Sequence, residues 1–418
     1  MPSTLTAPET APAAQRPAHR DPNVLRWLGA YTSSMIGDSV YYIALSWAAV
    51  QSGSPSQAGV VMAVSALPRA LLMLGGGVIA DRLGPRRVVI GSDVVRCAAV
   101  LAVAGLLFLT TPGLWPLAVL ALVFGTVDAV FMPAVGALPA RVTTRDQLAR
   151  VQGMRGLGIR FASVVGAPLG GLAVAYGGAA AAFGLAGLLI AVSVPLLISV
   201  RVRELPADDT PAARGGTAWR DLTAGLRHIR RHRVLAPLIL AIALGDLGFV
   251  GPLNVGLTLL ADERGWGASG MGWVLAGFGV GAGAVSLLLT VRGRLPRAGQ
   301  VAGGAILAGS CAIGALAFVP GVAAAVGVAL LIGLLAGLSG AMCGALLQTQ
   351  ADPAYLGRVT AVSGLVSLGF APLSMPLSAA AVGLWGTGPV FVVSAAVCGL
   401  GGVIALSVPG LRRAELPK

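Results

Sequence analysis

The stretch Gly77-Val78-Ile79-Ala80-Asp81-Arg82-Leu83-Gly84-Pro85-Arg86-Arg87 packs a carboxylate, three arginines and turn-forming residues between two long apolar runs. Ala58–Ala80 carries Arg69 as its one charged side chain, and Val88–Thr110 carries only Asp93 and Arg96. A hydrocarbon core about 30 Å thick is crossed by roughly 20 apolar residues in a helix, whose backbone polar groups satisfy one another. The stretch therefore reads as a short loop joining two membrane-spanning helices.

The composition extends that reading to the whole chain. Its 418 residues are 56% hydrophobic and 11% charged, against about 25% charged in a soluble domain. This excludes a soluble fold of that size and predicts an all-α membrane protein. The net charge of +13 comes from arginines gathered in particular loops, so it sets orientation in the membrane and does not mark nucleic-acid binding. Cys97, Cys311, Cys343 and Cys398 stand singly in apolar runs, without metal-ligand or redox spacing, and read as small packing residues. No nucleophile–base set or metal site is visible, so neither catalysis nor a cofactor is expected.

Apolar runs at approximately 27–50, 57–80, 88–110, 115–139, 155–176, 179–200, 235–260, 269–291, 299–319, 321–346, 359–383 and 387–409 predict twelve spans. Arginines follow every second span, at Arg82, Arg86 and Arg87, at Arg141, Arg145 and Arg150, from Arg201 to Arg233, at Arg292, Arg294 and Arg297, at Arg358, and at Arg412 and Arg413. The alternate loops are uncharged apart from Asp262, Glu263 and Arg264. Both termini are therefore expected in the cytoplasm. Residues 1–23, rich in Pro, Ala and Thr, are expected to be a disordered cytoplasmic tail. In the long connection 201–234, Trp219, Leu222, Leu226 and Ile229 form a stripe among arginines, which predicts a helix lying on the inner membrane surface.

The chain repeats itself. Gly37-Asp38 recurs as Gly245-Asp246, Arg150-Val151 as Arg358-Val359 and Pro168-Leu169 as Pro376-Leu377, each 208 residues on. Two six-helix pseudo-symmetric bundles follow, at 24–200 and 235–410, joined by the linker 201–234 and followed by a tail at 411–418. Head-to-tail halves of this kind are the signature of transporters that rock about a central site.

Gly77, Asp81, Arg82, Gly84, Arg86 and Arg87, placed between spans two and three of a six-plus-six protein, resemble the signature loop of the major facilitator superfamily. That resemblance implies the major facilitator fold and a latch at this loop, in which the aspartate caps a helix start in the other half and the arginines meet nearby acids. Asp93 is an acid that Arg82 can reach. The loop after span eight keeps arginines but lacks the aspartate, so the latch is expected on one side only. Gly166, Pro168, Gly170 and Gly171 in span five resemble the glycine-proline motif that distinguishes exporters of the superfamily from importers. Gly37-Asp38, Leu67-Pro68 and Pro133–Pro139 are similar to its twelve-span branch of drug, macrolide and siderophore exporters.

Counted at 1.5 Å per residue, Asp38, Arg69, Asp128 and Asp246 all fall about 16–18 Å from the arginine-rich side, near the bilayer midplane. A charge there costs at least about 2.5–3.5 kcal/mol and should face the bundle interior or water. Arg69 is expected to pair with Asp38 or Asp128, leaving a carboxylate to exchange a proton, with Asp38 the first choice. Arg96 reads as a local partner of Asp93, three residues away, beneath the loop. Tyr41, Tyr42, Phe131, Met132, Phe249, Asn254 and Met342 are the expected walls of a cavity between the halves.

The expected function is export of small amphipathic compounds by alternating access in exchange for protons, with the proton gradient as energy source. The partners expected are the small-molecule substrate, protons and membrane lipids. The protein is expected to act as a multi-pass monomer in a bacterial-type plasma membrane, without nucleic acid. An importer or uniporter of a small metabolite, and a lipid flippase or non-transporting scaffold, are the alternatives.

Overall fold

The computed structural model describes residues 18–110, 113–143, 147–202, 226–292, 296–351 and 356–415. Among them every regular element is helical. The first half holds α1 (Pro22–Ser52), α2 (Pro55–Leu83), α3 (Pro85–Leu109), α4 (Trp115–Ala137), and a 52-residue stretch, Leu148–Ser199, that Gly178 breaks into α5 (148–177) and α6 (179–199). The second half holds α7 (Leu235–Glu263), α8 (Gly267–Arg292), α9 (Ala298–Ala315), α10 (Val322–Gln350), α11 (Leu356–Trp385) and α12 (Thr387–Ser407). Eight of the described helices are long and apolar enough to cross a membrane, one of these carrying both α5 and α6. The rods α1, α2 and α11 are each 29 residues or longer.

Local chemistry sets the helix ends. Asp21 caps α1 by accepting from the Asn23 N–H, and Ser54 and Gln57 form a reciprocal capping box at the start of α2. Proline occupies the first turn of α1, α2, α3 and α4, where its missing N–H leaves no bond unmade. Between α2 and α3 the loop expected from the sequence shrinks to one residue, Gly84. Its φ of 85° is one that side chains with a Cβ rarely adopt. α7 contains a π-helical turn at Pro252–Gly256, which places Asn254 on a bulge in the helix.

The two halves pack alike. In the first, α1 lies against the α5–α6 stretch, α2 against α4, and α3 against α6; in the second, α7 lies against α11 and α12, α8 against α10, and α9 against α12. Gly125 on α4 abuts the Ser65 backbone of α2, and Gly333 on α10, 208 residues on, abuts the Phe278 backbone of α8. The start of α1 is tied to the end of α6, since Asn23 donates to the Arg201 carbonyl at 2.8 Å and accepts from its N–H at 2.7 Å. The start of α9 is tied to Ala414 through its carbonyl, 3.1 Å from the Gly299 N–H. Both ends of the described chain therefore lie on one face, the terminal face. Of the expected surface helix, Trp219 and Leu222 lie outside the described residues. Leu226 is exposed, and Ile229 is buried in the core of the second half.

Contacts between halves gather toward the opposite face. Among the described residues the hydrogen bonds across the seam are Gln51 to Asp262 (2.6 Å), Ser46 with Thr258 (2.6 Å) and Ser46 to the Asn254 carbonyl (3.4 Å). Gly59 on α2 meets Ala379 on α11, and Gly171 on α5 meets the Ala268 carbonyl at the start of α8. A Cβ at position 171 would stand 2.5 Å from that oxygen. Overpacking of a tight contact costs about 1–3 kcal/mol. Gly171→Leu should therefore lower the melting temperature of the purified protein, whereas Gly153→Leu, with nothing within 4 Å of its Cβ position, should leave it in place. Equal melting of the two variants would contradict a close seam at α5 and α8.

Candidate functional site

Asp93 and Arg96 stand three apart on α3, on the face that meets α1, α4 and α6. The Arg96 Nη1 donates to both oxygens of Asp38, at 3.0 and 2.9 Å, and to Asp128 Oδ1 at 3.3 Å. Its Nη2 donates to Ser34 Oγ at 3.0 Å and to Asp93. Asp93 also accepts from Ser34, at 3.2 Å, and from Ser193 on α6. The guanidinium lies over the Phe131 ring, 4.0 Å from its centroid, a cation–π contact strengthened by burial. Arg96 is fully buried. One cation thus binds three carboxylates contributed by α1, α3 and α4.

Ion-pair partners of Asp38, Asp93 and Asp128 among the described residues all come from Arg96. The pairing expected for Arg69 is therefore made by Arg96, which forms the expected i,i+3 pair with Asp93 and also stands at the centre of the cluster through Asp38 and Asp128. The reason is geometric. α3 begins at Pro85, directly after Gly84, so Arg96 stands eleven residues, about 16 Å, along the helix. Arg69 instead lies within electrostatic reach of Tyr42 and Asp128, and the Tyr42 hydroxyl donates to Asp128 Oδ2 at 3.3 Å.

A cavity of ≈ 270 Å³ lies between the halves, lined by Tyr42, Met62, Ser65, Ala66, Arg69, Asn254 and Met375. It draws on α1 and α2 from one half and on α7 and α11 from the other. Tyr42, Arg69 and Asn254 therefore meet at one site. The other expected wall residues do not join them. Tyr41 is buried, stacked 3.7 Å from Phe124. Phe131 is buried beneath Arg96, Met132 packs into the α1–α4 core, and Met342 is buried in the core of the second half. Phe249 packs on Phe278 and lines a separate cavity, of ≈ 200 Å³, around Asp246. Sequence reasoning missed Met62, Ser65 and Met375 as walls and Ser193 as a partner of the cluster. Serines on the charged face of apolar helices were the available signal.

The loop residues are arranged differently from expectation. Arg82 and Arg87 are exposed. Arg86 donates to the carbonyls of Leu197 and Ile198, the free end of α6, where a cation complements the helix dipole. Asp93 is held by Arg96, Ser34 and Ser193 inside the bundle, so it is not the acid for Arg82. Gly77 falls within α2, and the Asp81 side chain lies outside what the structure describes. In span five, a Cβ at Gly166 would stand 2.5 Å from Ser39 Cβ, and one at Gly170 3.1 Å from Ile43 Cβ, so both admit α1 closely. Gly171 faces α8, and Pro168 lies inside the helix between them.

Two helical halves closing over a polar cavity, with charge buried one side chain away, define a membrane transporter. Residues 27–372 match the model of the Major Facilitator Superfamily, and the chain belongs to that superfamily. It is 26% identical to the multidrug efflux pump Tap of Mycolicibacterium fortuitum, over 95% of this chain and 98% of that one. It is 27% identical to the enterobactin exporter EntS of Shigella boydii, over 69% of this chain and 67% of that one. Among solved structures it resembles the nucleoside transporter NupG, with a TM-score of 0.72 and 12% identity over 93% of this chain and 100% of that one.

Removing one member of a buried ion cluster costs about 3–5 kcal/mol, because the others are left uncompensated. Arg96→Met should therefore lower the melting temperature far more than Arg69→Met. Equal effects, or a stable Arg96→Met, would contradict the placement of Arg96 at the centre.

Proposed function

We propose that the protein is a secondary active efflux transporter that exports small amphipathic compounds in exchange for protons. The observation that carries this reading is the contact between cavity and charge: Tyr42 lines the cavity and bonds to Asp128, which shares Arg96 with Asp38. A ligand that displaces Tyr42 or draws on Arg69 changes the charge balance around Asp128, and the buried cluster feels it directly. The exporter names of Tap and EntS support the direction.

Asp38, Asp93 and Asp128 against Arg96 and Arg69 leave one formal negative charge, which a proton cancels. Asp38 is the carboxylate for this role, because its side chain is 14% exposed whereas those of Asp93 and Asp128 are 1% and 9% exposed. With the proton bound, Asp38 releases part of its hold on Arg96, and the cluster favours another arrangement of α1, α3 and α4. The terminal face, which bears the arginines, is the cytoplasmic side of the plasma membrane. The seam on the opposite face then closes the outside, as in an inward-facing state of alternating access by a monomer. Asp81, Arg82 and Gly84 form the latch that holds the other state.

In inside-out vesicles, compounds selected by thermal shift from macrolides, cationic dyes and siderophores should accumulate only when a pH gradient is imposed. Asp38→Asn should reduce that accumulation roughly tenfold or more while leaving ligand binding within about twofold. Gradient-independent uptake, or full pumping by Asp38→Asn, would overturn the proton-exchange reading.

A further inference from the structure

The cavity around Asp246 occupies the same place in the second half that Arg96 occupies in the first. Ser34, Asp38, Asp128 and Phe131 surround the Arg96 guanidinium. Their counterparts 208 residues on are Ile242, Asp246, Ala336 and Ser339, and all four line the cavity of ≈ 200 Å³. The repeat is in register here, because Gly125 and Gly333 make equivalent backbone contacts on α4 and α10. On the arginine's side the symmetry fails: α9, the counterpart of α3, has no charged residue and contributes Ala305, Ile306 and Gly309. The second half has kept one carboxylate and lost both the guanidinium and the side chain that filled the space.

We propose that this cavity is a cation subsite, which receives the guanidinium, amidinium or protonated amine head group of an exported compound. It rests on the efflux reading for the identity of the ligand as cargo. Among the described residues no basic side chain lies within ion-pair distance of Asp246; Ser367 lies within its hydrogen-bonding reach. A carboxylate inside the bilayer without a counter-ion is costly, and an arriving cation removes that cost. Phe249 lines the same cavity, and an aromatic ring there attracts a cation. At ≈ 200 Å³ the space is smaller than the roughly 300–1,000 Å³ of a drug-sized site, so it takes a head group and leaves the apolar body outside it.

The test uses a matched pair of probes on the purified full chain in nanodiscs: benzamidine, a planar cation, and benzamide, its neutral counterpart. Equilibrium binding should favour benzamidine by at least roughly tenfold in the wild type. Asp246→Asn should make the two probes equal. Ala336→Leu, which fills the cavity and keeps the carboxylate, should weaken benzamidine without raising benzamide, and it provides an independent reading should Asp246→Asn fail to fold. Equal binding of the probes by the wild type, or a preference that survives both variants, would overturn the subsite. A benzamidine preference lost in both variants would support it even where vesicles show no export, and that combination would count against the efflux reading alone.

Discussion

A fully buried guanidinium must find its counter-charges inside the protein, and Arg96 imposes that condition on the first half. Bringing carboxylates from α1, α3 and α4 to one nitrogen pair requires those helices to meet at one depth. Ser34 accepts from the guanidinium, Ser193 donates to Asp93, and Phe131 closes the face of the ion. Each member then depends on the rest, because a partly satisfied polar network in low dielectric is worse than an apolar core. Among the described residues the Tyr42 hydroxyl, which lines the cavity, joins it to this network by donating to Asp128 at 3.3 Å.

The two halves solve the same packing problem differently. Their helices contact in equivalent pairs, and glycines at equivalent positions let the same helices approach. Where the first half is filled by a long charged side chain, the second is lined by alanine, isoleucine and glycine and is hollow. A transporter built from one repeated unit therefore has one ion-bonded half and one half with room beside a single carboxylate. The seam between them is held by small residues and a few polar contacts at the face away from the termini, an arrangement that can part without breaking either core.

Much of this was legible in the residues. Apolar runs and their charged loops located the helices, the Gly77–Arg87 pattern pointed to the superfamily, and depth counting brought Asp38 and Asp128 to one level. The centre of the cluster is not legible there, because the apolar run starts α3 at Val88, after the loop arginines. Gly84 lets the helix begin at Pro85 and carries Arg96 deeper. Tyr41 and Tyr42 show a second limit. Adjacent residues on a helix point about 100° apart, so one enters the core and the other the cavity, and no apolar stripe on so hydrophobic a helix tells them apart. Asp246 was recognised as the repeat mate of Asp38, but a void is the absence of a side chain, which only the packed structure reveals.

The central claim is that occupancy of the inter-half cavity and protonation of the Arg96 cluster are one linked equilibrium. The most direct measurement is the number of protons exchanged when a ligand binds, obtained by titration calorimetry of the purified protein in buffers of different ionisation enthalpy, with tetraphenylphosphonium as the probe. The account predicts that protons are released on binding by the wild type and that Asp38→Asn binds with no proton release. Identical proton exchange in the two proteins would contradict it.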